Sequence, residues 1–312
     1  MATAPRVLSH LPLGLLRKVG EAFPQVEIVQ VPERGSLAPD VSGEILLTQA
    51  WGSPNLAEVV ERGVRWVHCY GTGVDRFPFH ALGQRTLTCS RGASAVPISE
   101  WVLAVMLAAE KNLPDTWVSE PPERWNIGSL GGLSGRTLGL VGFGGIGRAV
   151  AQRALPFDMQ VRAYRRSGAP SDLAGVEIVK ELAELLETAD HLVLAAPATT
   201  ETKHLLDTAA FARIKQGVHL VNVARGELVD QDALRRALDD GRVALASLDV
   251  ADPEPLPVGH WLYCHPRVRL SPHVSWSMPG ALDLLIEPFI ENLGHYMEGE
   301  PLEHRVDVGS GY

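Results

Sequence analysis

The chain has 312 residues, of which 46% are hydrophobic and 21% are charged, and its formal net charge is -9. This length predicts two domains of a globular protein, and the acidic balance disfavours a nucleic-acid partner, because phosphate neutralisation needs concentrated Lys and Arg. No apolar run reaches the roughly 18 residues that span a membrane and the first residues lack a signal-peptide pattern, so we expect a cytoplasmic protein without membrane contact.

Strand-like and helix-like runs alternate from the beginning of the chain. The predicted strands are RVLSH, VEIVQV, EILLT, WVHCY and TLTCS, with helical segments such as NLAEVVERG between them. Such alternation predicts βαβ units and a parallel sheet. A long apolar helix follows in SAVPISEWVLAVMLAAEKN, and we place the first domain boundary near its start, after residue 96.

The alternation begins again after a loop rich in Pro, Gly and Trp that spans residues 113–134. Six strands are predicted in this second region, namely TLGLVGF, QVRAY, HLVLAAP, VHLVNVA, ALASLDV and RVRLSPH. Together with the helices between them they predict a doubly wound parallel sheet. The last apolar stretch, ALDLLIEPFIENLGHYMEG, predicts one more helix.

A glycine-rich loop joins the first strand of the second region to a helix. Gly142, Gly144 and Gly147 form the pattern G-x-G-x-x-G. The first glycine permits a tight turn, the second lets the backbone approach a pyrophosphate, and the third lets helix and strand pack closely. The amides at the start of the helix, which include Gly145 and Ile146, would receive the anion. We therefore predict a dinucleotide-binding domain.

The side chain that reads the ribose 2′ position is expected at the end of the next strand, about 20 residues beyond the glycines. Arg165 stands eighteen residues after Gly147 (165 against 147), and Arg166 and Ser167 follow it. A carboxylate there would repel a 2′-phosphate, whereas arginine attracts one and serine can donate to it. Although two adjacent arginines are often only a solvated surface pair, this position favours NADP(H), with NAD(H) still possible.

Several further motifs follow in order. They are GTGVD at residues 71–75, LVGFGGIGRAVA at 140–151 and PATTETKHLLD at 197–207, then GVHLVNVARGELVDQDAL, ASLDVADPEPLP and HPRVRLSPH. By these motifs nearly the whole chain resembles the D-isomer-specific 2-hydroxyacid dehydrogenases, especially the glyoxylate and hydroxypyruvate reductase branch. The resemblance implies two α/β domains, a Rossmann cofactor domain at 97–283 inserted into a flavodoxin-like substrate domain at 1–96, with residues 284–312 as a returning helix.

The resemblance also implies a catalytic trio, Arg225 in NVARGE, Glu254 in DPEPLP and His273 in SPHVSW. Arg225 would bind the substrate carboxylate through two hydrogen bonds. His273 would be the general acid for reduction and the base for oxidation, while Glu254 holds its tautomer and stabilises its protonated form. A histidine taken alone is more often a core or surface residue. Here all three follow apolar strands, at the edge where ligands bind in open α/β sheets.

Other matching positions surround the reaction centre. Backbone amides at Thr72 and Gly73 would hold the substrate carboxylate, although this loop could also be an ordinary turn. Trp51 is a candidate to close the pocket, although an aromatic after a strand is more often core. The resemblance implies that the cofactor is lined by Pro197, Thr202, Val223, Ala224 and, near the nicotinamide carboxamide, Asp249. The family usually has small residues beyond the catalytic histidine, whereas Ser275 and Trp276 occur here.

The cysteines, Cys69, Cys89 and Cys264, show no disulfide or zinc spacing, so we expect reduced thiols and no metal. The expected function is NADPH-dependent reduction of a small 2-oxo acid to a D-2-hydroxy acid, and the resemblance implies a homodimer. One alternative is a dehydrogenase of another small anion such as formate or phosphite. Formate dehydrogenases pair the histidine with Gln, so Glu254 disfavours them. The other alternative is a dinucleotide-sensing binding protein similar to the corepressors that share the fold.

Overall fold

The structure is a computed structural model that describes residues 4–126 and 128–312. The chain divides into two compact units. The first combines the chain up to Ser94 with Met278–Tyr312, and the second is Ala95–Ser277. The divisions expected from the sequence came after residues 96 and 283, two and six residues later than those of the structure (96 against 94, 283 against 277).

The strands and helices follow one another along the chain in the alternation that the sequence predicts. The strands are β1 Arg6–Ser9, β2 Glu27–Gln30, β3 Ile45–Gln49, β4 Trp66–Tyr70, β5 Thr86–Cys89, β6 Thr137–Val141, β7 Gln160–Tyr164, β8 Val176–Val179, β9 His191–Leu194, β10 Val218–Asn222, β11 Val243–Leu248 and β12 Val268–Leu270. The α-helices are α1 Arg17–Ala22, α2 Leu56–Val60, α3 Ala95–Glu110, α4 Gly145–Ala154, α5 Leu182–Thr188, α6 Thr208–Arg213, α7 Gln231–Asp239 and α8 Ala281–Glu298.

The first unit is built on a parallel sheet with the strand order β2-β1-β3-β4-β5. Its central strands, β1, β3 and β4, are almost wholly buried, as expected for a sheet covered on both faces. Helix α8 packs on one face, where Phe289 stacks on Trp66 with ring centroids 5.3 Å apart. The Tyr70 hydroxyl donates to the carbonyl of Leu282 at 2.8 Å, which ties β4 to the same helix.

The second unit contains a parallel sheet with the order β12-β11-β10-β9-β6-β7-β8. Strand order reverses between β6 and β9, so the crevice outside their carboxyl ends is the expected ligand site of this fold. The predicted fold class, two parallel-sheet α/β domains, is confirmed. The prediction of six strands in this region was wrong, because β8 forms a seventh strand at the sheet edge. Its four residues include the exposed Glu177, which pairs with Arg162 of β7 at 2.9 Å and interrupts the apolar pattern.

Two large side chains of the loop after α3 face solvent. Trp117 is 74% exposed and Trp125 is 70% exposed.

Within the described part of the chain, no helix combines the length and the apolar character needed to cross a bilayer.

Candidate active site

The glycine loop between β6 and α4 is shaped by close backbone packing. Gly142 has a φ of 100°, and a Cβ there would lie 2.7 Å from the carbonyl carbon of Ala195. A Cβ on Gly147 would run into the carbonyl oxygen of Gly142. Gly144 instead faces open space, which leaves an approach to the first amides of α4, at Gly145 and Ile146. Such a cradle fits a dinucleotide pyrophosphate.

Arg165, Arg166 and Ser167 follow β7 directly, as the sequence predicts. The guanidinium of Arg166 lies 3.3 Å from a carboxylate oxygen of Glu201, and both side chains are largely exposed. The hydrogen bond from Arg148, aided by the charge of Arg165, lowers the pKa of the exposed Asp172. This cationic group therefore faces two carboxylates that sequence reasoning missed. An exposed ion pair such as that of Arg166 with Glu201 is weak, so a phosphate could replace this carboxylate.

The remaining cofactor-side candidates lie beyond the carboxyl ends of β9 and β10. The hydroxyl of Thr202 donates to the carbonyl of Pro197 at 2.7 Å and so fixes the loop after β9. Val223 and Ala224 are buried, and the amide of Ala224 donates to Oδ1 of Asn222 at 3.0 Å. The structure places these residues at the expected sheet edge, and their contact with a cofactor stays a prediction.

Arg225 follows β10 on a segment that Asn222 holds in place. Asn222 is 1% exposed, and its Nδ2 donates to the carbonyl of Arg225 at 2.9 Å. The Arg225 guanidinium donates to the carbonyl of Ala224 at 2.8 Å, and the residue is half-buried. A guanidinium fixed in this way can pair with a carboxylate through two hydrogen bonds.

His273 and Glu254 form a hydrogen-bonded pair at the same edge of the sheet. Nδ1 of His273 lies 2.9 Å from Oε2 of Glu254, and the amide of Ala251 donates to Oε1 of Glu254 at 3.1 Å. Burial opposes ionisation of Glu254, but the hydrogen bonds from His273 and Ala251 and the charge of Arg225 lower its pKa overall. The ionised carboxylate fixes the tautomer with the proton on Nδ1, and the 41% exposure of the His273 side chain leaves its other side open.

The bend that presents His273 is organised by Asp249. His273 has a φ of 55°, in the left-handed region, and its amide donates to the Asp249 carbonyl at 2.9 Å. The Asp249 carboxylate accepts bonds of 2.9 Å from each of the amides of Val274 and Ser275, and a further bond from the Ser271 hydroxyl. Trp276 donates from its indole to the carbonyl of His273 at 3.0 Å. Asp249 and Trp276 therefore brace the backbone that carries the imidazole, a role that sequence reasoning missed.

Thr72, Gly73 and Trp51 belong to the first unit. Thr72 lies beyond β4, and its hydroxyl donates to the carbonyl of Ser90 at 3.4 Å. Gly73, which follows it, is half-buried. Trp51 is 63% exposed, which rules out the core role that an aromatic after a strand usually has. The substrate-binding roles of these residues stay predictions. Among the described residues, no group of three or more His, Cys, Asp or Glu side chains could hold a metal ion.

Known proteins are similar to this chain in sequence and in fold. Residues 103–275 match the family model described as D-isomer specific 2-hydroxyacid dehydrogenase, NAD binding domain. The hydroxypyruvate reductase of Thermotoga maritima is 35% identical over 250 residues, which cover 76% of this chain and 81% of that protein. The D-3-phosphoglycerate dehydrogenase of Methanocaldococcus jannaschii is 29% identical over 95% of this chain, which spans 57% of that protein's length.

A crystal structure with the same fold is that of a D-isomer specific 2-hydroxyacid dehydrogenase from Xanthobacter autotrophicus Py2, in complex with NADPH and MES. Its TM-score is 0.83 at 24% identity, with 99% of this chain and 100% of that chain covered. The fold, the glycine loop and the family model together define an α/β protein with an NAD-binding domain. More specifically, the chain belongs to the D-isomer specific 2-hydroxyacid dehydrogenase family.

Proposed function

We propose that this protein is an NADPH-dependent reductase of small 2-oxo acids, of the glyoxylate and hydroxypyruvate type, that produces D-2-hydroxy acids. The observation that carries the proposal is the 2.9 Å bond between His273 and Glu254, with Arg225 close enough to lower the pKa of that carboxyl. An imidazole whose Nδ1 is held by a carboxylate can present a proton from Nε2 to a reacting oxygen.

The roles in the reaction follow from these groups. Arg225 binds the carboxylate of the 2-oxo acid, and the amides of Thr72 and Gly73 are proposed as further donors to it. A nicotinamide dinucleotide held at the glycine loop would supply the hydride for this reduction. His273 then gives its proton to the oxygen, which completes the alcohol, and Glu254 stabilises the imidazolium before transfer. Trp51 is proposed to cover the substrate.

The preference for NADPH is proposed from Arg165, Arg166 and Ser167 at the end of β7. Their position beyond the second strand of the Rossmann sheet is that of the ribose-reading residue, and residues 165–167 themselves include no carboxylate. We also propose that the protein is cytoplasmic and forms a homodimer, with the exposed Trp117 and Trp125 as candidates for the interface.

Steady-state assays test the proposal with glyoxylate, hydroxypyruvate and 3-phosphohydroxypyruvate, each with NADPH and NADH. The last substrate is included because several relatives are D-3-phosphoglycerate dehydrogenases, of which this chain spans only part. We expect turnover of glyoxylate or hydroxypyruvate, with NADPH preferred. Absence of turnover with every 2-oxo acid would refute the enzymatic assignment and favour a dinucleotide-sensing protein.

A further inference from the structure

The segments that carry Arg225 and Glu254 touch through their backbones. Gly226 follows Arg225, and a Cβ on Gly226 would run into the carbonyl of Ala251 and the amide of Asp252. No side chain larger than hydrogen fits between the two segments at this point. The relative position of the two charged groups therefore depends on how residues 251–254 lie against residues 225–231.

A second contact joins the same segments. Gln231 is the first residue of α7, and its Nε2 donates to the backbone carbonyl of Asp252. One residue earlier, the amide of Ala251 donates to Oε1 of Glu254 at 3.1 Å, while Oε2 of the same carboxylate meets His273. Gln231 thus holds the backbone from which Glu254 receives one of its two orienting hydrogen bonds.

The packing around Gln231 is tight, but its hydrogen bonding is incomplete. Gln231 and Asn222 line a cavity of only about 10 Å³, next to Gly226 and Ala251. Oε1 of Gln231 is buried and has no hydrogen-bond partner among the described protein groups. A buried unpaired oxygen destabilises a fold. Stability alone therefore does not account for an amide at this position.

We propose that Gln231 is a positioning residue, which fixes residues 251–254 so that the carboxylate of Glu254 meets Nδ1 of His273. Its effect on turnover rests on the proposed function, but its effect on the geometry does not. The Gln231 side chain acts on Glu254 and His273 indirectly, through its hydrogen bond to the carbonyl of Asp252. Gln231 differs from residues that merely support the fold, because its loss should change the chemistry more than the stability.

The test is Gln231→Met, which keeps the length of the side chain and removes both the donor and the unpaired oxygen. With hydroxypyruvate and NADPH, we expect kcat to fall about tenfold while KM changes less than about twofold, as for a small misplacement of a catalytic group. The alkaline limb of the kcat/KM profile should move to lower pH, because a displaced carboxylate stabilises the imidazolium less. The melting temperature should stay equal or rise.

Asp232→Ala, on the exposed side of the first turn of α7, is the matched control and should leave kcat and the pH profile unchanged. An NMR titration of the His273 ring in the cofactor-free protein provides a readout that needs no turnover. Its midpoint should move to lower pH in Gln231→Met even if the proposed function is wrong. The proposal would be overturned if the midpoint and kcat were both unchanged. It would also be overturned if activity and melting temperature fell together while the pH profile stayed the same.

Discussion

Two histidine–carboxylate pairs of the second unit can be compared directly, because they lie at opposite edges of one parallel sheet. At the carboxyl edge, His273 meets Glu254 at 2.9 Å and its side chain is 41% exposed. At the amino edge, His191 begins β9 and meets Glu110 of α3 at 3.1 Å, with its side chain 2% exposed. The bond is nearly the same in both pairs. What differs is the other side of the ring, which is accessible in His273 and covered in His191.

The covered pair continues into the core as a chain of hydrogen bonds. Nδ1 of His191 lies 3.1 Å from Nδ1 of His219, and Nε2 of His219 lies 2.9 Å from the hydroxyl of Ser247. Burial lowers the pKa of His219 to about 3, and it lowers the pKa of His191 even though Glu110 opposes this. Both rings are therefore neutral near pH 7. A histidine beside a carboxylate acquires a chemical role only where the site leaves its second nitrogen accessible.

Removal of the exposed imidazole should produce the largest effect on activity. His273→Asn suits the left-handed backbone at this position but lacks a proton donor of suitable pKa. We expect kcat to fall by about a thousandfold, within the range for loss of a general acid, while NADPH affinity and melting temperature are retained. Stopped-flow rates and fluorescence titration with NADPH check this. Activity close to that of the wild type would remove His273 from the acid role.

The cationic group after β7, Arg165 and Arg166, should determine the choice of cofactor without affecting proton transfer by His273. In the double variant Arg165→Asp and Arg166→Ala, loss of charge-assisted bonds should raise KM for NADPH about 100-fold and leave KM for NADH nearly unchanged. Glu201→Gln is the matched control, because it removes the carboxylate beside Arg166 and should not weaken NADPH binding. Steady-state kinetics with both cofactors measure the effect. Equal changes for NADH and NADPH would contradict a 2′-phosphate site.

Removal of the covered imidazole should show the opposite pattern to that of His273. His191→Leu removes the partner of Nδ1 of His219 and of Oε1 of Glu110, which should cost about 2 kcal/mol of stability. Because this edge of the sheet is remote from the catalytic carboxyl edge, kcat should change less than about twofold. Urea unfolding and steady-state kinetics on the same preparation test both parts. A large loss of kcat with normal stability would contradict the assignment of a structural role to His191 and a chemical role to His273.

The smallest effect on activity is expected where only the pH dependence of stability changes. His219 has a folded-state pKa of about 3, below the unfolded value of about 6.5, so the unfolded chain takes up the proton first. Its stabilising contribution is present above pH 6.5 and is lost as pH falls toward 3, by up to about 1.4 kcal/mol per pH unit. His219→Gln should therefore flatten the decline of unfolding free energy between pH 6.5 and 4. A slope identical to that of the wild type would contradict this.

Features with a local cause were predictable from the sequence. The Gly142 and Gly147 positions follow from turns and close packing that exclude a Cβ, and the βαβ alternation is visible in the apolar runs. Arg225, Glu254 and His273 could be placed at one sheet edge because each follows a predicted parallel strand. Strand β8 could not be predicted, since an exposed edge strand of four residues shows little apolar pattern.

Features that depend on tertiary contacts were not predictable. Nothing in the motif around Asp249 shows that its carboxylate accepts three hydrogen bonds from the segment after β12. The pairing of Arg166 with Glu201 joins residues 35 positions apart, and the bond from Gln231 to Asp252 joins residues 21 apart. His191 and His219 could be interpreted only as core histidines within apolar strands. Their mutual contact depends on the register of β9 and β10.

The most direct test of the central claim is a chiral determination of the product. Purified wild-type protein is incubated with hydroxypyruvate and NADPH, and the hydroxy acid and the consumed NADPH are quantified together. Hydride transfer with protonation by His273 in this family's fold should give the D isomer, one molecule for each NADPH oxidised. Formation of the L isomer, or no product from this or any other 2-oxo acid, would contradict the account.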